Sequence, residues 1–249
     1  MTAPRLPARG RRAQGPASAL AYNQPGGPLI AVCGLAGGAG TTTLAVAVAR
    51  QAAADSTVPA LLADASPERA GVAAAVGAVS DCCLLDLAAG RRPGRPFAEP
   101  APRLRLVASA PKPAPQTTAG QLTDTLAGAR AAHGLCVIDC ATLASANEAI
   151  LAAATDIVWV LPATAAAVKR AQILFASPLA PQRRGRELLA AVAVNDHAPA
   201  PTRALRALAA HRCDQLVLIG HHRGLADGDQ AAAAAAYAPV LDCLAPGAR

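Results

Sequence analysis

Ten residues near the start of the chain, Gly34-Leu35-Ala36-Gly37-Gly38-Ala39-Gly40-Thr41-Thr42-Thr43, follow the apolar run LIAVCG and lead into an Ala/Val-rich stretch. Glycine at this density lets successive backbone N–H groups curl around an anion, and a following helix N-terminus adds its dipole. Gly40 stands at the second glycine of the phosphate-binding pattern GxxxxGK[ST], and Gly34 lies one residue before the position of the first. Thr41 stands at the lysine position, and Thr42 at the hydroxyl position that ligates magnesium. A glycine-rich turn without any ligand has the same composition. Two acids lie at the ends of other apolar runs: Asp139 in LCVIDC, the arrangement that holds magnesium through water, and Asp64 in VPALLAD. A strand-end cap is the alternative reading of Asp139. A Gly loop and two acids at three strand ends are what a nucleotide crevice requires.

The elements that position these residues alternate. Short apolar runs read as strands at Leu29–Gly34, Val58–Asp64, Leu104–Ser109, Leu135–Cys140, Asp156–Leu161, Leu188–Asn195 and Gln215–Gly220. Helices are expected over Thr42–Ala54, Pro67–Val79, Asp81–Ala89, Gln116–Ala132, Asn147–Ala154, Thr164–Phe175, Thr202–His211 and Gln230–Leu244, with a Pro/Arg-rich loop over Arg91–Arg103. This order predicts an α/β fold, a mostly parallel twisted sheet with helices on both faces.

Composition agrees. The 249 residues are 53% hydrophobic but only 2% aromatic, so the core is built from Ala, Val, Leu and Ile. A disulfide scaffold, a collagen-like chain and a coiled coil are excluded. Lys+Arg number 23 against 16 Asp+Glu, a formal charge of +7, and the lysines are Lys112 and Lys169 alone. Residues 1–28 are rich in Pro, Gly, Ala and Arg without periodicity and read as a disordered tail. They carry four arginines and no acid, which leaves +3 for a domain spanning 29–249. No apolar segment follows those arginines as a signal peptide requires, and no run of about 18 apolar residues offers a membrane span. The seven cysteines form no CxxC knuckle and are expected as buried, reduced thiols of a cytoplasmic protein.

The succession GGAGTTT, LLADASPER and LCVIDCATLASANEAILAAATDIVWVLPAT resembles the ParA/MinD-like ATPases with a deviant Walker A loop. The most specific segment is the Walker B strand, a helix, then Asp156, an apolar strand and Pro162. The resemblance covers roughly residues 29–244 and leans towards the actinobacterial MinD-like and pilus-localising branch. It implies a three-layer α/β/α P-loop fold and ATP or ADP with Mg²⁺ as cofactor. Gly37, Gly38, Ala39, Gly40, Thr41, Thr42 and Thr43 would surround the phosphates. Asn195, at the end of AAVAVN, would contact the adenine, and Thr42, Asp64 and Asp139 would hold the metal. It further implies a homodimer and protein partners in chromosome or plasmid partition, septum placement, or localisation of a secretion or pilus machine.

The chain departs from the family patterns, KGGxGKTT and the DxD strand end, at three charged positions. The first lysine maps to Ala36, the second to Thr41, and the second acid of the DxD strand end, which positions the attacking water, to Ser66. A lysine–phosphate pair near 4 Å is worth about 4 kcal/mol at an effective dielectric of 20. Losing two such contacts, even at half strength, weakens binding roughly a hundred- to a thousand-fold. The expectation is a degenerate nucleotide-binding scaffold with weak or absent hydrolysis and no assigned catalytic residue. Two alternatives stand beside it. One is an active ATPase with a rewired loop that borrows Arg91, Arg92, Arg95, Arg103 or Arg105. The other is a non-specific DNA-binding partition protein that uses the Arg-rich tail and the 91–105 loop. Gln230–Arg249 lacks the basic amphipathic character by which a MinD-like C-terminus reaches membranes.

Overall fold

The structure is a computed structural model that describes residues 24–142, 148–177, 182, 185–195, 200–226 and 229–245. Its elements, in chain order, are β1 (Leu29–Gly34), α1 (Thr41–Asp55), β2 (Ala60–Asp64), α2 (Gly71–Val76), α3 (Leu84–Ala88), β3 (Ala98–Ala101), β4 (Leu104–Val107), α4 (Ala119–Ala132), β5 (Leu135–Thr142), α5 (Glu148–Ala153), β6 (Asp156–Pro162), α6 (Ala165–Ala176), β7 (Arg186–Val192), α7 (Thr202–Arg212), β8 (Gln215–Ile219), α8 (Arg223–Ala226) and α9 (Gln230–Leu244).

The strands form one eight-stranded sheet in the order β3-β4-β2-β5-β1-β6-β7-β8, parallel except for β3. Parallel strands are buried on both faces, which is why LIAVCG and LCVIDC read as continuous apolar runs rather than alternating ones. One apolar cluster joins α3, α4, α5, α6 and α7 to one face of the sheet; the other joins α1, α2 and α9 to the opposite face. The expected three-layer α/β/α architecture is therefore present. β1 lies between β5 and β6, and β5 pairs β2 so that Asp64 stands opposite Asp139. The order of strands thus gathers the Gly loop and both acids at one end of the sheet.

Several local expectations need correction. The Arg91–Arg103 segment is not all loop: Ala98–Ala101 is an antiparallel edge strand, turned onto β4 through Arg103 at φ 61°. Its exposed Glu99 and its Pro100 break any apolar run, and proline is tolerated there because the strand is at an edge. The helix expected over Pro67–Val79 shrinks to Gly71–Val76, begun at Ala70 and stopped at Gly77, both left-handed. β7 lies two residues earlier than expected at its start and ends at Val192, three residues before Asn195. Its polar Arg186 and Glu187 are paired inside the fold. Arg186 Nε donates to Asp156 at 2.7 Å. Glu187 accepts both Trp159 Nε1 at 2.7 Å and Arg212 Nε at 2.8 Å.

Of the expected tail, residues 1–23 lie outside the described residues. Gly26 and Gly27 already donate to the Arg130 and His133 carbonyls at the end of α4. No disulfide is formed, and six of the seven cysteines are buried. Among the described residues no helix is long and apolar enough to cross a membrane.

Candidate functional site

The loop between β1 and α1 is fixed by its glycines. A Cβ on Gly34 would meet the Ala141 carbonyl and Thr41 Oγ1 at 2.6 Å each, so only glycine lets the loop leave the strand here. Gly38 and Gly40 adopt φ of 70° and 83°, and Gly40 is the N-cap of α1. No side chain caps that 15-residue helix, so the first-turn amides have no partner from a capping residue.

Beside the loop is a cavity of about 220 Å³, lined by Ala36–Thr43, Asp64, Ser66, Arg69, Gly71, Asp139, Ala141 and Thr142. Six of the expected phosphate residues, Gly37–Thr42, and Thr43 all line it, with the expected metal residues Thr42, Asp64 and Asp139. Thr42 Oγ1 donates to Asp139 Oδ2 at 2.6 Å, and the Ala141 amide donates to Asp139 Oδ1 at 2.9 Å, drawn in by a left-handed Ala141 at φ 53°. Burial raises the Asp139 pKa, while those two hydrogen bonds pull it back. Asp64 is 2% exposed; its Oδ1 accepts the Ser66 amide at 2.7 Å, and its Oδ2 has no hydrogen-bond partner. Burial pushes its pKa up to about 6, against the Ser66 hydrogen bond and the nearby Val72 amide, and helped by the charges of Asp139 and Glu68. A buried carboxylate with an open oxygen is costly unless something cationic completes it.

These donors fit a hard divalent ion: one hydroxyl and two carboxylates, all oxygen. Among the described residues no group of three or more His, Cys, Asp or Glu could hold a metal on its own. That suits magnesium, which is commonly held by one or two carboxylates together with substrate phosphates. Ser66 is buried, and its hydroxyl donates to the Cys140 carbonyl at 3.4 Å.

A second cavity, of about 330 Å³, adjoins the other side of the loop. Gly38–Gly40, Thr43, Pro162, Val192–Val194, His221, His222, Leu225 and Tyr237 line it. Asn195 is exposed just beyond Val194 and lines neither cavity. The apolar wall and Tyr237, whose hydroxyl donates to the Gly40 carbonyl at 3.4 Å, were not legible as site residues. Tyr237 sits within an alanine-rich helix, and its isolation as one of two tyrosines was the only available signal.

The candidate replacement cations from the 91–105 loop do not reach the cavity. Arg103 donates to the Ala53 and Ala54 carbonyls at 3.0 and 3.1 Å, Arg91 lies 3.8 Å from Asp86, and Arg105 lies 4.0 Å from Glu99. Lys112 is ion-paired with Asp86, and Lys169 is exposed on α6. Among the described residues the cation that does line the cavity is Arg69, which falls within the helix expected over Pro67–Val79.

Solved structures align over nearly the whole chain. A chain of the Aquifex aeolicus MinC:MinD cell division protein complex has a TM-score of 0.63 at 13% identity, covering 87% of this chain and 95% of that one. A Chlorobium tepidum ParA family ATPase gives 0.57 at 12%, covering 86% and 91%. The fold is that of the ParA/MinD-like ATPases. A Cyanothece McdA variant in complex with ATP shares the ParA/MinD-like fold at a TM-score of 0.58 and 16% identity, covering 79% and 83%. A scan against protein-family models gives no match, and neither does a comparison with curated protein sequences. Among the described residues, the ParA/MinD-like frame here carries threonine, alanine and serine at the three positions where charge was expected.

Proposed function

We propose that this protein is a nucleotide-binding positioning or regulatory scaffold that retains the phosphate cradle and has lost efficient hydrolysis. What supports this reading is a cavity in which the glycine loop, Thr42 and Asp139 come together while Thr41 and Ser66 stand where a lysine and an acid were expected. Gly38 and Gly40 hold the loop open around the α1 N-terminus, and Thr42 is locked to Asp139 at 2.6 Å. Thr41 and Ser66 line the same cavity in place of a lysine and an acid.

The ligand best matched to this arrangement is ATP or ADP with Mg²⁺. The backbone amides of Gly37–Thr43 would hold the phosphates, and Thr42, Asp139 and Asp64 would hold the metal, which neutralises phosphate charge when bound. Thr42 and Asp139 orient one another, while the open oxygen of Asp64 adds a second carboxylate on the metal side. The apolar cavity by Val192–Val194 and Tyr237 has room for the base and ribose. With a serine hydroxyl engaged to a backbone carbonyl, Ser66 is a poor orienter of attacking water.

The solved neighbours with this fold include division and partition proteins, one of them in complex with MinC. That supports a homodimer that recruits protein partners in partition, septum placement or assembly of a secretion or pilus machine. Non-specific DNA binding is the weaker reading, because Arg91, Arg103 and Arg105 of the 91–105 loop are engaged by Asp86, backbone carbonyls and Glu99. The test is MgATP titration of the full-length chain alongside a phosphate-release assay. Saturable binding without release above background supports the reading, and absence of binding up to about millimolar nucleotide overturns it.

A further inference from the structure

The loop that should carry a lysine has none, yet the cavity is not without a cation. Among its described lining residues are two carboxylates, Asp64 and Asp139, and one positively charged side chain, Arg69. When both acids are ionised this lining is net negative, a setting that repels a free polyphosphate. We propose that Arg69 is the phosphate-binding cation of this site, supplying from the turn after β2 the charge that Thr41 cannot supply from the loop. The inference rests on the nucleotide reading above and adds to it the residue that makes binding feasible.

The local structure holds Arg69 at the cavity while leaving its guanidinium uncommitted. The Arg69 amide donates to the Ser66 carbonyl at 3.0 Å, closing a tight turn directly after Asp64 and Ser66. Ala70 then takes a left-handed conformation at φ 45°, a strained choice for a residue with a Cβ. Gly71 follows, and a Cβ there would stand 3.1 Å from Thr42 Oγ1, so the turn is pressed against the hydroxyl that pairs with Asp139. Two of the three non-glycine residues with positive φ among the described residues, Ala70 and Ala141, therefore flank this one cavity. Strain concentrated in this way accompanies sites rather than packing. Arg69 itself is exposed and forms no ion pair with either acid of the cavity, although it shares the lining with both. A planar guanidinium presents paired donors to phosphate oxygens, which a point-charge lysine does not, so its approach from a different wall is chemically sufficient.

Two consequences separate this arrangement from an ordinary lysine-bearing loop. Binding depends more steeply on magnesium, because a single exposed cation faces two carboxylates. Its sensitivity to Arg69 also falls once position 41 carries a charge.

The experiment is calorimetric titration of MgATP into the full-length wild type, Arg69→Ala, Arg69→Lys and Arg170→Ala, and into Thr41→Lys with and without Arg69→Ala. Arg170 is exposed on α6, away from the cavity lining, and serves as the charge-matched control. The expected result is a loss of about 10- to 100-fold in affinity for Arg69→Ala, partial recovery in Arg69→Lys and no change in Arg170→Ala. In the Thr41→Lys background the loss shrinks to roughly threefold or less, because the two cations serve the same phosphates. Wild-type binding that Arg69→Ala leaves unchanged overturns the role of Arg69 and leaves the nucleotide reading standing. Binding absent in wild type and present only with Thr41→Lys overturns both, since Arg69 then fails to supply the charge.

Discussion

Replacing Asp64 by asparagine should stabilise the ligand-free protein at neutral pH and change little near pH 4. The carboxyl is 2% exposed, one of its oxygens has no partner, and its pKa is lifted from 3.8 to about 6. In the unfolded chain the group titrates near its ordinary value, so between the two pKa values the folded state holds a proton that the unfolded state has lost. Stability contributed by the protonated acid is complete below about pH 3.8 and disappears as pH rises through about 6. At 1.36 kcal/mol per pH unit the interval is worth about 3 kcal/mol by pH 7. Asparagine keeps the Oδ1 acceptor for the Ser66 amide and carries no charge. For a chain of this length the gain corresponds to roughly 6–12 °C in Tm. Urea unfolding of both proteins at pH 4, 5, 6 and 7.5, in a chelator to remove divalent ions, isolates this group, because the other titrations cancel in the difference. The difference should start near zero and grow by at most about 1.4 kcal/mol per pH unit. A flat difference, or an asparagine variant less stable at pH 7.5, would refute the picture of an uncompensated acid.

Other substitutions probe other parts of the account. Thr42→Val removes the donor to Asp139 Oδ2 and should cost about 1–3 kcal/mol in urea unfolding while abolishing the magnesium-dependent part of ATP binding. Gly40→Ala places a Cβ 2.7 Å from the Tyr237 hydroxyl at φ 83°, and should destabilise by about 2 kcal/mol or more. Adding Tyr237→Phe should recover only the steric part, which a double-mutant cycle reads directly. Arg212→Met leaves Glu187, which is 0% exposed, without its guanidinium and should cost about 3–5 kcal/mol, with much of that recovered by Glu187→Gln.

The frame of the site was legible because its strands are buried on both faces. LIAVCG, LCVIDC and DIVWVL could only be central strands, and the residues at their ends then had to share one edge of the sheet. What escaped detection was polar and paired in space. Arg186 and Glu187 begin β7, but their partners Asp156, Trp159 and Arg212 are 25 to 30 residues away, so the segment read as loop. β3 escaped because an edge strand with Glu99 and Pro100 has no apolar signature. Arg69 escaped for a conformational reason. PERAG has helical composition, and only the left-handed Ala70 delays the helix and leaves the arginine beside the cavity.

The most direct test of the central claim is to measure MgATP binding and phosphate release on the same full-length preparation. Saturable, magnesium-dependent binding is expected, lost in Thr42→Val, with phosphate release indistinguishable from a protein-free control. Release that scales with protein concentration and disappears in Asp64→Asn or Thr42→Val would contradict it, as would the absence of any binding up to about millimolar MgATP.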